Sequence, residues 1–200
     1  MLGLHSPDGD SGSPGALDAE VLFESLAVSN GSPGAGFAYE VRAICDAPTL
    51  VNLASYTSFN LGGCAAEATV FEYDLMLHVA SYTPCDAAGT PNGVIALVAG
   101  TPFDFRKWRR VGAAIGDGRA PPLGLDQNMI IGRPAWNAAA RSRAALSYVW
   151  RADERRHHLT WHAGVLVWIP WLAMEKFGGI CFEPQHFSDS PHHRAFPDAW

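Results

Sequence analysis

An all-β fold, either a sandwich or a barrel, is the class this sequence predicts, on three observations. Apolar and polar residues alternate at period two in several short runs. The 20 glycines and 14 prolines fall mainly between those runs, where turns are needed. No segment shows a clear apolar stripe at helical spacing, and strands do not alternate with helices as a doubly wound fold requires.

The elements follow in chain order. Residues 5–15, rich in Ser, Pro, Asp and Gly, read as a loop. Leu17, Ala19, Val21 and Phe23 alternate with Asp18, Glu20 and Glu24, broken only by Leu22, and predict a half-buried strand. Asn30 to Gly36 is a turn cluster. Phe37, Tyr39, Val41, Ala43 and Cys45 alternate with Glu40, Arg42 and Asp46 and predict a second strand. Phe71, Tyr73, Leu75, Leu77 and Val79 alternate with Glu72, Asp74 and His78 and predict a third. Val94 to Val98 is a short buried strand, and Leu146 to Trp150 and Leu159 to Ile169 are further strands rich in Val, Trp and Tyr. Asn137 to Leu146 holds helix-friendly Ala and Arg but no apolar face. No repeat or linker interrupts the 200 residues, so one domain is expected. A composition of 48% hydrophobic and 17% charged residues supports a core and excludes extensive disorder.

Fourteen Lys and Arg against 20 Asp and Glu give a net charge of −6, which argues against nucleic acid as a partner. Residues 1–105 carry a single base, Arg42, while the bases concentrate in residues 106–200; interleaved strands would cancel that asymmetry. No apolar run reaches the ~18–20 residues that span a bilayer, and Val165 to Ala173 is far too short, so no membrane association is expected. The N-terminal residues lack a basic region followed by an apolar core. Cys45, Cys64, Cys85 and Cys181 form no CxxC pair. Free thiols and a cytoplasmic address are the expectation.

Seven Trp, five Tyr and ten Phe could offer faces to the C–H side of a sugar ring, although most belong in a core. Four polar, loop-like patches stand out: Ser6 to Gly15, Thr101 to Lys107, Gly124 to Asn128, and Phe182 to Pro191. On these patches, with Val51-Asn52-Leu53, Phe59-Asn60-Leu61, Tyr82-Thr83-Pro84 with Asp86, and Pro91-Asn92-Gly93 in order between them, the chain resembles the aldose 1-epimerase, or galactose mutarotase, family. Thr101 to Lys107 matches that family's TPFDFRK almost letter for letter, and Cys181 to Phe187 resembles its CLETQHF.

The resemblance implies a galactose mutarotase-like β-sandwich, incomplete at both ends. The family's LHGG motif before the Ser6-Pro7-Asp8-Gly9 turn has no counterpart here, nor does a strand after Phe196-Pro197. A second copy or another chain completing the sandwich is therefore expected as a partner, since an open sheet edge is an aggregation hazard. The implied reaction interconverts the α and β anomers of aldohexoses such as galactose or glucose, with a small-molecule sugar as ligand and no metal or organic cofactor. Glu183 falls on the family's catalytic base, and the apolar Phe182, Pro184 and Phe187 around it would raise its pKa. Asp126 falls on an acidic residue that holds sugar hydroxyls. Tyr56 occupies the place of the family's general-acid His, and a phenol titrates near ~10 rather than ~6.5. Leu166 stands in place of a sugar-contacting Gln, Gln127 in place of a His, and Pro184 in place of a Thr, which removes a backbone donor beside the base. Weak or absent turnover is the expectation, with a non-catalytic carbohydrate-binding protein or a partner-dependent remnant of the family as the alternatives.

Other constellations have simpler readings. At strand spacing His158 and His162 share a face and His157 lies opposite, and no cysteine has zinc-like spacing, so a surface patch is expected and no metal site. His192-His193 reads the same way. Arg106-Lys107-Trp108-Arg109-Arg110 reads as a solvated segment after a strand. No GxGxxG, Walker or GxSxG pattern occurs.

Overall fold

A computed structural model describes residues 1–27, 35–54, 56–60, 69–77, 79–115, 125–131, 144–149, 156–161, 165–168, 179–183 and 185–196. Part of the Asn30–Gly36 turn, Cys64, Gly124, His162, Pro184 and most of the 137–146 segment lie outside them. The chain forms two compact units, Met1–Leu53 and Ala54–Ala199.

The first unit is a three-stranded antiparallel sheet in the order β1-β2-β3, with β1 at Leu2–Ser6, β2 at Leu17–Ala27 and β3 at Ala35–Cys45. The two long strands are those that period two predicts. β1 was not legible, because five residues with little alternation resemble the loop that follows. It pairs along its length, from Leu2 opposite Val21 to Ser6 opposite Leu17. The Ser6 to Gly15 patch closes this hairpin. The Asp8 carboxylate accepts from the Gly15 backbone N–H at 2.7 Å. Gly15 sits at φ +80°, and a Cβ there would come within 2.7 Å of the Cys45 Sγ, so this turn requires glycine.

The second unit holds two antiparallel sheets. Its strands are β4 (Ser58–Phe59), β5 (Asp74–Leu77), β6 (Val79–Thr83), β7 (Ala96–Leu97), β8 (Arg109–Arg110), β9 (Gln127–Ile131), β10 (Ala144–Val149), β11 (Arg156–Trp161), β12 (Val165–Trp168) and β13 (Ile180–Glu183). One sheet runs β11-β10-β5-β8 and the other β4-β13-β12-β9-β6-β7. A short helix, α1 (Val111–Ile115), buries Val111 and Ala114, three residues apart on one side.

Both sheets contribute to one core. Tyr73, Leu75 and Leu77 come from the β5 segment, Met129 from β9, and Ile180 and Phe182 from β13. Phe103, Phe105 and Leu125 come from loops. Each large apolar side chain taken fully from water contributes about 1.5–3 kcal/mol. The Tyr73 hydroxyl donates to Asn60 Oδ1 at 2.8 Å, so the ring is buried without stranding its polar end.

Two single-strand readings are corrected. Residues 71–79 form a one-turn 3-10 helix (Val70–Glu72), then β5, then β6, and β5 and β6 belong to different sheets. The chain passes from one layer to the other between Leu77 and Val79, both of which face the shared core. Alternation reports which face is buried, not which neighbour the backbone pairs with, so it runs on through the crossing. The 159–169 segment likewise divides into β11 and β12 in separate sheets, and only Ala96–Leu97 of the 94–98 run forms a strand. Interleaving of the acidic and basic halves is seen where Arg110 of β8 meets Asp74 of β5 at 3.0 Å.

In the Thr101–Lys107 segment the apolar residues turn inward and the charged ones outward. Phe103 and Phe105 are buried, and Arg106 forks onto Asp104 with two bonds of 2.8 Å. That bond holds the Asp104 carboxyl down at about 2. A depressed acid stabilises the fold above its unfolded pKa and loses that contribution as pH falls through the folded value. Asp104→Asn is therefore expected to lower the melting temperature at pH 7. The gap from the parent should shrink below pH 4 and vanish only below pH 2 in thermal melts across pH; a gap independent of pH would exclude the ion pair as its source.

Candidate active site

The site begins with alternation in β13. Ile180 and Phe182 face the core, so Cys181 and Glu183 face the other side of the six-stranded sheet. In β9, Met129 faces the core, so Asn128 and the preceding Asp126 share the side of Glu183, whereas Gln127 alternates onto the core side. In β6 a bulge between Val79 and Ser81 lets both Val79 and Tyr82 meet the core, which turns Thr83 to the outer side.

The register then sets these residues in rows. Glu183 is opposite Leu166, Leu166 opposite Asn128, and Asn128 opposite Thr83. One row therefore crosses β13, β12, β9 and β6. On the other flank Cys181 pairs with Ser58 of β4, and the same register continued two residues brings Tyr56 level with Glu183. Two residues beyond Thr83 and Asn128, Cys85 comes level with Asp126.

The electrostatics agree with this placement. Glu183 is fully buried, and among the described residues neither carboxylate oxygen has a hydrogen-bond partner of ordinary geometry. Burial pushes its carboxyl above the usual range, the Cys181 thiol two residues back pulls weakly the other way, and the Asp126 charge pushes up again. Asp126 is partly buried, and its carboxyl is also raised by desolvation. The Tyr56 phenol is raised by burial first, then by the negative charges of Glu183, Cys181 and Asp126. Cys85 is raised by burial and by Asp126 and Asp86. The residues named from sequence, Glu183, Asp126 and Tyr56, thus share one electrostatic neighbourhood. Tyr56 is 67% exposed, so it is not a packing residue.

His5 lies in the first unit, hydrogen-bonded to Asp18 at 2.7 Å across β1 and β2. An open groove of about 620 Å³ is lined by Asp104, Arg106, Lys107, Trp108 and Arg109, and none of the sequence-named site residues borders it. Among the described residues no group of three or more His, Cys, Asp or Glu is placed to hold a metal, and no helix is long and apolar enough to cross a membrane. Among the described residues Cys45, Cys85 and Cys181 form no disulfide. Sequence reasoning passed over Thr83 and Asn128. The available signal was a polar residue alternating with core residues, Asn128 beside Met129 and Thr83 beside Tyr82.

Comparison with known proteins gives a concordant result. A family model described as aldose 1-epimerase matches residues 1–199. The chain is 28% identical to the aldose 1-epimerase of Escherichia coli over 211 residues, covering 98% of this chain and 57% of that protein. It is 31% identical to the aldose 1-epimerase of Haemophilus influenzae over 199 residues, covering 95% and 56%. It is 29% identical to mouse galactose mutarotase over 201 residues, covering 97% and 56%. The chain thus spans a little over half the length of these relatives. Among solved structures, a galactose 1-epimerase from Lactobacillus acidophilus superposes with a TM-score of 0.63 at 24% identity, covering 92% of this chain and 53% of that one. An aldose epimerase homologue from C. elegans superposes with a TM-score of 0.66 at 20% identity, covering 98% and 59%. The fold is therefore the all-β galactose mutarotase-like one, and the chain belongs to the aldose 1-epimerase family.

Proposed function

We propose that this chain carries the sugar site of an aldose 1-epimerase and interconverts the α and β anomers of an aldohexose such as galactose or glucose. The observation that supports this most directly is Glu183: a buried carboxyl, raised by desolvation, whose oxygens have no hydrogen-bond partner of ordinary geometry among the described residues. A general base works best when its pKa approaches the working pH, and burial moves Glu183 that way. In the proposed reaction the Glu183 carboxylate takes the proton of the anomeric hydroxyl. The C1–O5 electron pair leaves to the ring oxygen, which takes a proton from the Tyr56 phenol. The open aldehyde turns about C1–C2, and the reverse transfers close the ring on the other face. Asp126 accepts from a sugar hydroxyl beside them.

One observation favours a second reading, sugar binding with little turnover. The Tyr56 phenol is pushed above its ordinary value near 10, away from the range in which it gives and retakes a proton easily at pH 7.

Polarimetry on fresh α-galactose and α-glucose tests the first reading. The protein should speed equilibration, Glu183→Gln should reduce the rate to the spontaneous one, and the acid limb of the pH–rate profile should have its midpoint above 4.5, because a raised base stays protonated to higher pH. A parent protein no faster than solvent sinks the catalytic reading. Tyr56→His is expected to raise kcat by about tenfold or more, since a matched acid contributes roughly 10²–10⁴; an unchanged kcat would remove Tyr56 from the proton path.

The same carboxyl carries a stability cost. Between 4.5 and its raised folded value the native chain holds more protons than the unfolded one, so stability falls as pH rises through that window. Glu183→Gln should therefore melt higher than the parent at pH 7 and equal to it below pH 4.5. Equal melting temperatures at both would show that the charge is not desolvated.

A further inference from the structure

Beyond Glu183, the row across the sheet holds two further buried polar side chains, Thr83 and Asn128. Thr83 is 1% exposed and Asn128 is 7% exposed. Among the described residues Thr83 Oγ1 and Asn128 Nδ2 are buried with no hydrogen-bond partner. A buried polar atom left unpaired is costly, and two such atoms on adjacent strands, facing the same way as the Glu183 carboxyl, are not a packing accident to be expected in a core. They do not lie in the apolar core, because Tyr82 and Met129, their immediate chain neighbours, occupy that face.

The chemistry of the pair is specific. Asn128 Nδ2 is a donor only, and Thr83 Oγ1 can both donate and accept. The two residues are directly opposite in the antiparallel register. A single ligand hydroxyl between them would satisfy both, accepting from the amide and donating to the threonine oxygen. Asn128 stands two strand spacings from Glu183, about 10 Å. That is the span of one pyranose ring with a hydrogen bond of about 3 Å at each end. An anomeric hydroxyl at Glu183 therefore places a hydroxyl from the far side of the same ring at Asn128 and Thr83.

We propose that Asn128 and Thr83 form a subsite for a sugar hydroxyl remote from the anomeric carbon, and so determine which aldose the site accepts. This rests on the sugar-site reading of Glu183 and extends it from the reacting end of the ring to the recognising end. A site built to bond a hydroxyl rejects a ligand that lacks it, because its own buried groups are then left unpaired. The two residues act in recognition and take no part in proton transfer.

The test is titration calorimetry of the full chain with galactose, glucose, and the 3-deoxy and 4-deoxy forms of galactose. Thr83→Val and Asn128→Leu are the variants, each close to its parent in volume. Thr83→Val should weaken the preferred sugar by roughly tenfold, consistent with loss of one buried hydrogen bond. One deoxy sugar should bind the parent that much more weakly and should lose nothing further on Thr83→Val, because the hydroxyl and its partner are removed together. The same variant should melt no lower than the parent without sugar, since an unpaired hydroxyl is replaced by a methyl. A parent that binds sugar while both variants bind it equally well overturns the subsite and leaves the proposed function standing. Equal weakening for every sugar, deoxy forms included, also overturns it. A marked fall in the sugar-free melting temperature of Thr83→Val would show that the hydroxyl is satisfied within the protein, and overturns it too. A parent that binds no sugar at all overturns the sugar-site reading itself, and the subsite with it.

Discussion

Burial of one face of the six-stranded sheet against the shared core is the constraint on which the rest of the second unit depends. Ile180 and Phe182 of β13, Met129 of β9 and Tyr82 of β6 meet residues of β5 and of the 98–105 loop in one apolar cluster. Because a strand alternates, fixing that face fixes the other. Cys181, Glu183, Asn128 and Thr83 have no choice of side. A slip of one residue in β13 would send Glu183 into the core and Phe182 out of it, at a cost far above the fold's margin. The core thus does what a site needs and loops alone do poorly: it holds the candidate groups on rigid, hydrogen-bonded backbone.

Glu183 and Asp126 show how that placement becomes chemistry. Both carboxyls are raised by lost solvent, and the Asp126 charge pushes Glu183 up further. Among the described residues no cation pairs with either carboxyl, so this desolvation adds nothing to the stability of the fold. The arrangement makes sense for a ligand that brings hydroxyl donors to the carboxylates. The contrast with Asp104 is direct. There the carboxylate has a guanidinium fork and a depressed pKa, an ion pair that stabilises structure.

Much of the fold was legible from sequence. The β2 and β3 strands announce themselves over eleven residues each, and the all-β class follows from period two together with the spacing of turns. The short strands were not legible, because β4 and β8 have two residues each and no periodicity can be read from two. The passage between sheets after Leu77 was not legible either, since a residue facing the core looks the same in the sequence whichever layer its strand belongs to. At the site, Glu183, Asp126 and Tyr56 could be named from motif resemblance, and Glu183 could be given a raised pKa from its apolar neighbours. That Tyr56 is open to solvent, and that Gln127 turns away from Asp126, depended on the sheet.

What the sequence determined by itself was residue type and local order: the alternating runs, the loop over residues 5–15, and the order of motifs that carries the family resemblance. Only the tertiary structure decided the row, Glu183 beside Leu166, Asn128 and Thr83, from segments that lie far apart in the chain. The physical reason is that strand register is a non-local choice. It is set by which faces can be buried together, and no short stretch of sequence contains its own partner.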